Sequence, residues 1–268
     1  MRLAIAAISL VVAGAASAGG AQRATIADIL AAEGCAIGPH TEQRVSAAGL
    51  DVAALDAMVA DAEKDAQTVR TGGWIVLPTS LCKIRPPAVR SEIRLDDPEV
   101  VALTTAIDAY ADLGDRGCFI DGPAIMERVQ ATRGWDADKA MIEYVRFIAE
   151  NLRSGDLAFY QASPFHTPPG FQILTGDCAD VPEIEAIRQS QAARDREFDA
   201  LIREDAPKVD CTNDTSPSYE FMASTHERKI PNAWTFFEVK VMTIGAGWYE
   251  GTNATQMGSP RPPLCRYR

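Results

Sequence analysis

The sequence predicts an α+β fold that is predominantly helical: two duplicated helix-helix-helix-strand units followed by a β-containing C-terminal region. Three observations carry that expectation. Apolar residues recur at helical spacing through much of the chain, while strand-like runs are short and bounded by Gly or Pro. Six cysteines stand at positions 35, 82, 118, 178, 211 and 265, a count that fits a disulfide framework. The surroundings of the first and third cysteines also repeat. Gly34-Cys35-Ala36-Ile37 precedes Pro39, Arg44-Val45 and Gly49-Leu50-Asp51, and Gly117-Cys118-Phe119-Ile120 precedes Pro123, Arg128-Val129 and Gly134-Trp135-Asp136. At an offset of 83, Met58, Val59, Ala62, Ala66 and Val69 fall on Met141, Ile142, Val145, Ala149 and Leu152. Internal repetition of this kind signals units that bury a face on a neighbour.

Residues 1–18 read as a secretory signal. Arg2 supplies the positive start, Leu3 to Ala16 is an apolar run of 14 residues, and Ala16-Ser17-Ala18 is a small-x-small cleavage site. Such a run is too short to span a hydrocarbon core of about 30 Å, and nothing later in the chain approaches a membrane-spanning length. The expected product begins near Gly19 and is exported, with the periplasm as its destination.

Repeat unit 1 covers residues 19–88. Thr25–Glu33 reads as a helix and His40–Ala48 as a second. Asp51 caps a third that runs to about Arg70, with Leu55, Met58, Val59, Ala62, Ala66 and Val69 on one face. Gly72 is placed as its C-cap, and Trp74–Leu77 as a strand stopped by Pro78. Repeat unit 2, residues 89–182, follows the same order. Pro98 opens a helix to about Leu113, a second spans Gly122–Thr132, and a third spans Asp136–Leu152. Leu157–Tyr160 then forms a strand with Phe171–Leu174 as its hairpin partner. In residues 183–268 a long helix is expected from Pro182 to about Glu204. Trp234–Ile244 is the strongest strand signal in the chain, followed by a turn over Gly245–Gly251.

If each unit is stapled to itself, the disulfides are Cys35–Cys82, Cys118–Cys178 and Cys211–Cys265. There is no CxxC pattern, so neither a thioredoxin-type redox motif nor a zinc ribbon is indicated. With 26 basic against 37 acidic residues the net charge is -11, which repels nucleic-acid phosphates and anionic membrane surfaces.

Motifs that would carry chemistry are weak. Ser80-Leu81-Cys82-Lys83 has the Ser-x-x-Lys spacing of penicillin-recognising enzymes but lacks their SDN and KTG elements. His226-Glu227 lacks the second histidine of HExxH. The glycines of Gly245–Gly251 are not followed by a helix that would meet a pyrophosphate. No metal site, cofactor or catalytic residue is therefore assigned. The Pro-rich loop carrying Phe165 and His166, and the aromatic pair Trp248 and Tyr249, are the candidate binding residues. Together these features lead to an exported, disulfide-bonded, non-enzymatic scaffold that binds a protein or envelope component. The alternative is a periplasmic hydrolase whose site gathers dispersed residues around His166 or His226.

Overall fold

The computed structural model describes residues 11–105, 118–159, 170–205, 235–248 and Arg266. Phe165, His166, Cys211, His226, Tyr249 and Cys265 lie outside the described residues. The fold is a predominantly helical α+β arrangement containing two small antiparallel sheets. The chain divides into two compact units, Met1–Ile84 and Arg85–Arg268.

In the first unit, α1 (Val11–Ala31) runs unbroken past Ala18 and Gly19. It buries Ile26 and Leu30 and packs against α3 (Val52–Ala62). The chain reverses after α1 by bonding the Cys35 N–H to the Leu30 carbonyl at 2.8 Å. It then enters β1 (Ala36–Ile37), α2 (Thr41–Ala47) and α3. Asp51 caps α3, its carboxylate accepting from the Ala53 N–H at 2.9 Å. β2 (Val69–Thr71) and β3 (Trp74–Val76) follow, and the sheet order is β1-β3-β2. Leu55, Met58, Ala62, Val45, Val76 and Leu77 fill the core between the helices and this sheet.

Helix α3 is shorter than its apolar periodicity suggests. The expected helix to Arg70 stops at Ala62, and Val69 belongs to a strand. Local side-chain bonds capture the backbone here: Asp65 accepts from the Gln67 N–H at 2.9 Å, and the Thr68 hydroxyl donates to the Ala62 carbonyl at 2.5 Å. Gly72 therefore lies in the β2–β3 turn instead of capping a helix.

The second unit begins with an irregular segment laid along α6 (Ala137–Ser154). The Ser91 N–H donates to Glu150 at 2.8 Å and the Glu92 N–H to Glu143 at 2.7 Å, so two carboxylates of one helix hold this segment. α4 (Pro98–Val101) gives way to β4 (Thr104–Thr105). The helix expected from Pro98 to Leu113 therefore ends within two turns, because the chain pairs with β5 (Phe119–Asp121). α5 (Gly122–Arg133) and α6 come next, then β6 (Leu157–Ala158) and β7 (Gly170–Ile173), giving the sheet order β4-β5-β7-β6. Asp136 caps α6 by accepting from the Lys139 N–H at 2.7 Å, and Gly155 ends it in the left-handed conformation. α7 (Ile184–Asp205) buries Ile187, Phe198, Leu201 and Ile202.

The segment expected as the best strand is α8, a helix over Thr235–Gly245. Thr235, Glu238, Val239, Met242 and Thr243 are among its buried positions, a helical stripe that an alternating strand could not produce. Gly245 lets this helix approach α6, since a Cβ at that position would lie 2.6 Å from the Ala149 Cβ. Packing against α6 thus overrides the strand preference of the aromatic and β-branched residues. The described part of the C-terminal region is accordingly helical where β-structure was expected.

The disulfides Cys35–Cys82 and Cys118–Cys178 each join consecutive cysteines, and among the described residues no cysteine is free. The two units share a local pattern around these bonds. In each, a cysteine leads into a strand, two helices follow, and a hairpin returns with its second strand beside the first. The Cys35 carbonyl accepts from the Leu77 N–H at 2.9 Å, and the Cys118 carbonyl accepts from the Ile173 N–H at 2.8 Å. The residue matching at offset 83 does not carry over to the third helices. Met58 is buried whereas Met141 is 46% exposed. The capping residues Asp51 and Asp136 instead align buried Leu55, Met58 and Ala62 with buried Ala140, Glu143 and Phe147.

Candidate functional site

An ion pair with both partners buried lies in the second unit. Arg194 of α7 and Glu238 of α8 are paired at 2.7 Å with side-chain exposures of 1% and 2%. The helical periods of α7 and α8 turn these residues inward among the apolar ones, so each needs the other. Arg194 also donates to the Leu152 carbonyl at 3.1 Å and to Asp195 at 2.8 Å. The other oxygen of Glu238 accepts from the Phe159 N–H, just past β6, at 3.0 Å. Burial pushes the Glu238 carboxyl above its ordinary value, against the opposing pull of Arg194 and the Phe159 N–H. Burial also disfavours the Arg194 charge, but Glu238 and Asp195 together hold the guanidinium above its ordinary range.

Glu238 also lines a pocket of about 210 Å³. Its other described lining residues are Gly122, Tyr144, Phe159, Gly170, Phe171, Phe237 and Val241. Each element contributes through its own geometry. The start of α5 brings Gly122, the middle of α6 brings Tyr144, and the sheet brings Gly170 and Phe171. α8 presents Phe237, Glu238 and Val241 from neighbouring turns. The Phe159 ring lies 5.3 Å from both Phe171 and Phe237, inclined by 70° and 39° respectively. These are inclined contacts, in the favourable range for aromatic pairs, and not face-to-face stacks. Phe237 is 37% exposed, one of the three exposed large apolar side chains among the described residues.

A second hollow of about 430 Å³ lies between α6 and the preceding irregular segment, lined by Arg90, Arg94, Asp96, Glu150 and Asp156 among others. Its charges already answer one another, with Glu150 taking Arg90 at 2.9 Å and Arg94 at 3.7 Å. Trp135 is likewise occupied, with Arg133 and Lys139 over its ring at 5.0 Å and 4.6 Å. Among the described residues no group of three or more His, Cys, Asp or Glu side chains is placed to hold a metal ion. The aromatic pocket is therefore the best-formed binding feature, concave and apolar with few polar groups.

Of the residues expected to bind, only Trp248 is described. It is fully buried and does not line the pocket, and its indole N–H has no acceptor among the described residues. Ser80 is hydrogen-bonded to Asp65 at 2.9 Å and Cys82 is in a disulfide, so the Ser-x-x-Lys spacing is part of the first unit's framework. The sequence places Phe159 and Phe171 on expected strands, Phe237 and Glu238 in the expected Trp234–Ile244 strand and Tyr144 in the expected Asp136–Leu152 helix, with none of the five assigned to a site. One signal points there: Glu238 is the lone charged residue in the aromatic-rich run from Trp234 to Val239.

No protein-family model, curated protein or solved structure matches the chain.

Proposed function

We propose that this chain is an exported, non-enzymatic binding protein of the periplasm, whose second unit holds a small apolar group in the aromatic pocket. The pocket is the observation that carries the reading: three phenylalanines, Tyr144 and Val241 enclose a hollow that opens beside an exposed Phe237. Apolar concavities with few polar groups are the usual form of small-ligand sites. Export is supported by the signal-like residues 1–18 and by two disulfides, which persist in oxidising compartments. Among the described residues no helix is long and apolar enough to cross a membrane.

The two units are further proposed to be copies of one ancestral unit, the second of which gained a longer third helix and the pocket. The shared strand order, cap residues and disulfide positions support that descent.

The binding reading is tested with the neutral fluorophore N-phenyl-1-naphthylamine. One fluorophore is expected to bind per chain with enhanced emission, and Val241→Trp, which fills the hollow from α8, is expected to abolish it. Absence of binding, or binding indifferent to Val241→Trp, overturns the assignment.

A further inference from the structure

We infer that the aromatic pocket of the second unit is a cage for a quaternary ammonium group, the chemistry of a choline-type headgroup. The inference rests on the pocket being a binding site and adds what it takes.

Four of the eight described lining residues are relevant through their rings: Tyr144, Phe159, Phe171 and Phe237. The face of an aromatic ring is the negative pole of its quadrupole, so rings around one hollow attract a cation, and alkylated ammonium groups are the recurrent guests of such cages. The Phe159 ring is inclined to both Phe171 and Phe237, so the three lining phenylalanines do not form one stack.

The charge around the pocket has the same sign preference. Glu238 is the single carboxylate among the described lining residues, and no Lys, Arg or His is among them. Behind it, one guanidinium, Arg194, is shared between two carboxylates, Glu238 and Asp195. With all three groups ionised the cluster carries one net negative charge, and a cation in the pocket offsets part of the cost of burying an ionised Glu238.

Hydrogen bonding then distinguishes a quaternary ammonium from a primary one. Each carboxylate oxygen of Glu238 already accepts one bond, from the Phe159 N–H and from Arg194, and the other described lining side chains offer a primary ammonium only the Tyr144 hydroxyl as an acceptor. A primary ammonium brings three donors into a hollow of rings, where unsatisfied donors carry a desolvation cost. A trimethylammonium group brings none and presents only methyl surface to the rings. The volume is suited to it: an apolar cavity of about 150 Å³ accommodates benzene, and the hollow here is about 210 Å³.

The test uses the full-length chain as exported, with bound N-phenyl-1-naphthylamine as the reporter. Choline is titrated against its uncharged carbon isostere, 3,3-dimethyl-1-butanol. Displacement by choline at concentrations at least about tenfold lower than the isostere is the expected result. Equal displacement overturns the cage and leaves the apolar-site reading standing, whereas reporter that never binds removes both. Phe237→Leu keeps apolar volume and removes a half-exposed ring; it is expected to weaken choline about tenfold while leaving the isostere unchanged. Parallel loss of both overturns the role of the ring. Sedimentation with phosphatidylcholine vesicles, compared with phosphatidylglycerol vesicles, distinguishes the source. Selective retention on the former assigns the headgroup of a lipid. Displacement by free choline without vesicle retention assigns a soluble quaternary amine.

Discussion

The Arg194–Glu238 pair predicts a specific pattern of non-additive stability loss. Both side chains are almost without solvent contact, at 1% and 2% exposure. Removing one partner leaves the other charge buried, which costs about 3–5 kcal/mol. Glu238→Met leaves Arg194 with Asp195 and the Leu152 carbonyl, and it orphans the Phe159 N–H. Arg194→Met leaves Glu238 with only the Phe159 N–H and orphans the Leu152 carbonyl. Each single variant should therefore lose about 4 kcal/mol. The double variant carries no buried charge at this point and loses mainly the two orphaned backbone groups, at about 1–3 kcal/mol each. It should lie close to either single variant, with a coupling energy of about 3 kcal/mol or more. Native-state hydrogen exchange at the amides of α7 and α8 reads the second unit specifically, which avoids assuming that the whole chain unfolds in one step. A pH series adds a sign. In Arg194→Met the Glu238 carboxyl loses its main opposing charge, so its folded pKa rises further above the ordinary 4.5. A raised acid contributes stability that is full below the unfolded value and is lost as pH rises through the folded value. The Arg194→Met deficit should therefore shrink as pH falls toward 4.5. Single losses below about 1 kcal/mol, or strict additivity, would refute the picture of a desolvated, mutually dependent pair.

Two further expectations concern the framework. Replacing Cys118 and Cys178 together by serine opens a loop with a separation of 60 residues. The chain-entropy relation places the loss at about 4 kcal/mol, measured as the shift in urea midpoint of the β5–β7 amides; a loss below about 1 kcal/mol counts against it. Gly49→Ala and Gly134→Ala test equivalent turns, because both glycines have positive φ (73° and 65°) and open space where a Cβ would stand. Each should lose about 1–2 kcal/mol by hydrogen exchange in its own unit, from backbone strain alone, and markedly unequal losses would argue against equivalent turns.

Much of this architecture can be read from local chemistry. Asp51 and Asp136 announce their helices because a carboxylate at the N-cap has a defined backbone partner within three residues. The Cys35–Cys82 and Cys118–Cys178 bonds follow from the repeated Gly-Cys punctuation. What the sequence concealed was decided by distant contacts. The Thr235–Gly245 helix is made of residues that favour strands, and its helicity depends on packing against α6, nearly a hundred residues earlier in the chain. The end of α3 at Ala62 was hidden for the opposite reason: apolar periodicity continued, but Asp65 and Thr68 bonded the backbone locally. The pocket was unreadable because its walls come from α5, α6, β7, α8 and the chain after β6, and no linear motif joins Tyr144, Phe159 and Phe237. The partner of Glu238 was equally hidden, 44 positions away on another helix.

The order of the two disulfides bears on how the chain acquires its covalent form. A polypeptide threaded from its N-terminus into an oxidising compartment presents its thiols one after another. Cys35 and Cys82 have no cysteine between them, so in such an entry their bond can close before Cys118 appears. With Cys35 and Cys82 already joined, Cys118 has no free thiol to be oxidised with until Cys178 follows, and those two make the second link. An oxidant that joins thiols in order of arrival therefore reaches both native bonds directly, without reshuffling through mixed disulfides. Refolding of the fully reduced chain starts with every thiol present at once and must select among competing pairings. In an N-to-C entry of this kind, the order of the cysteines along the chain is itself information about connectivity.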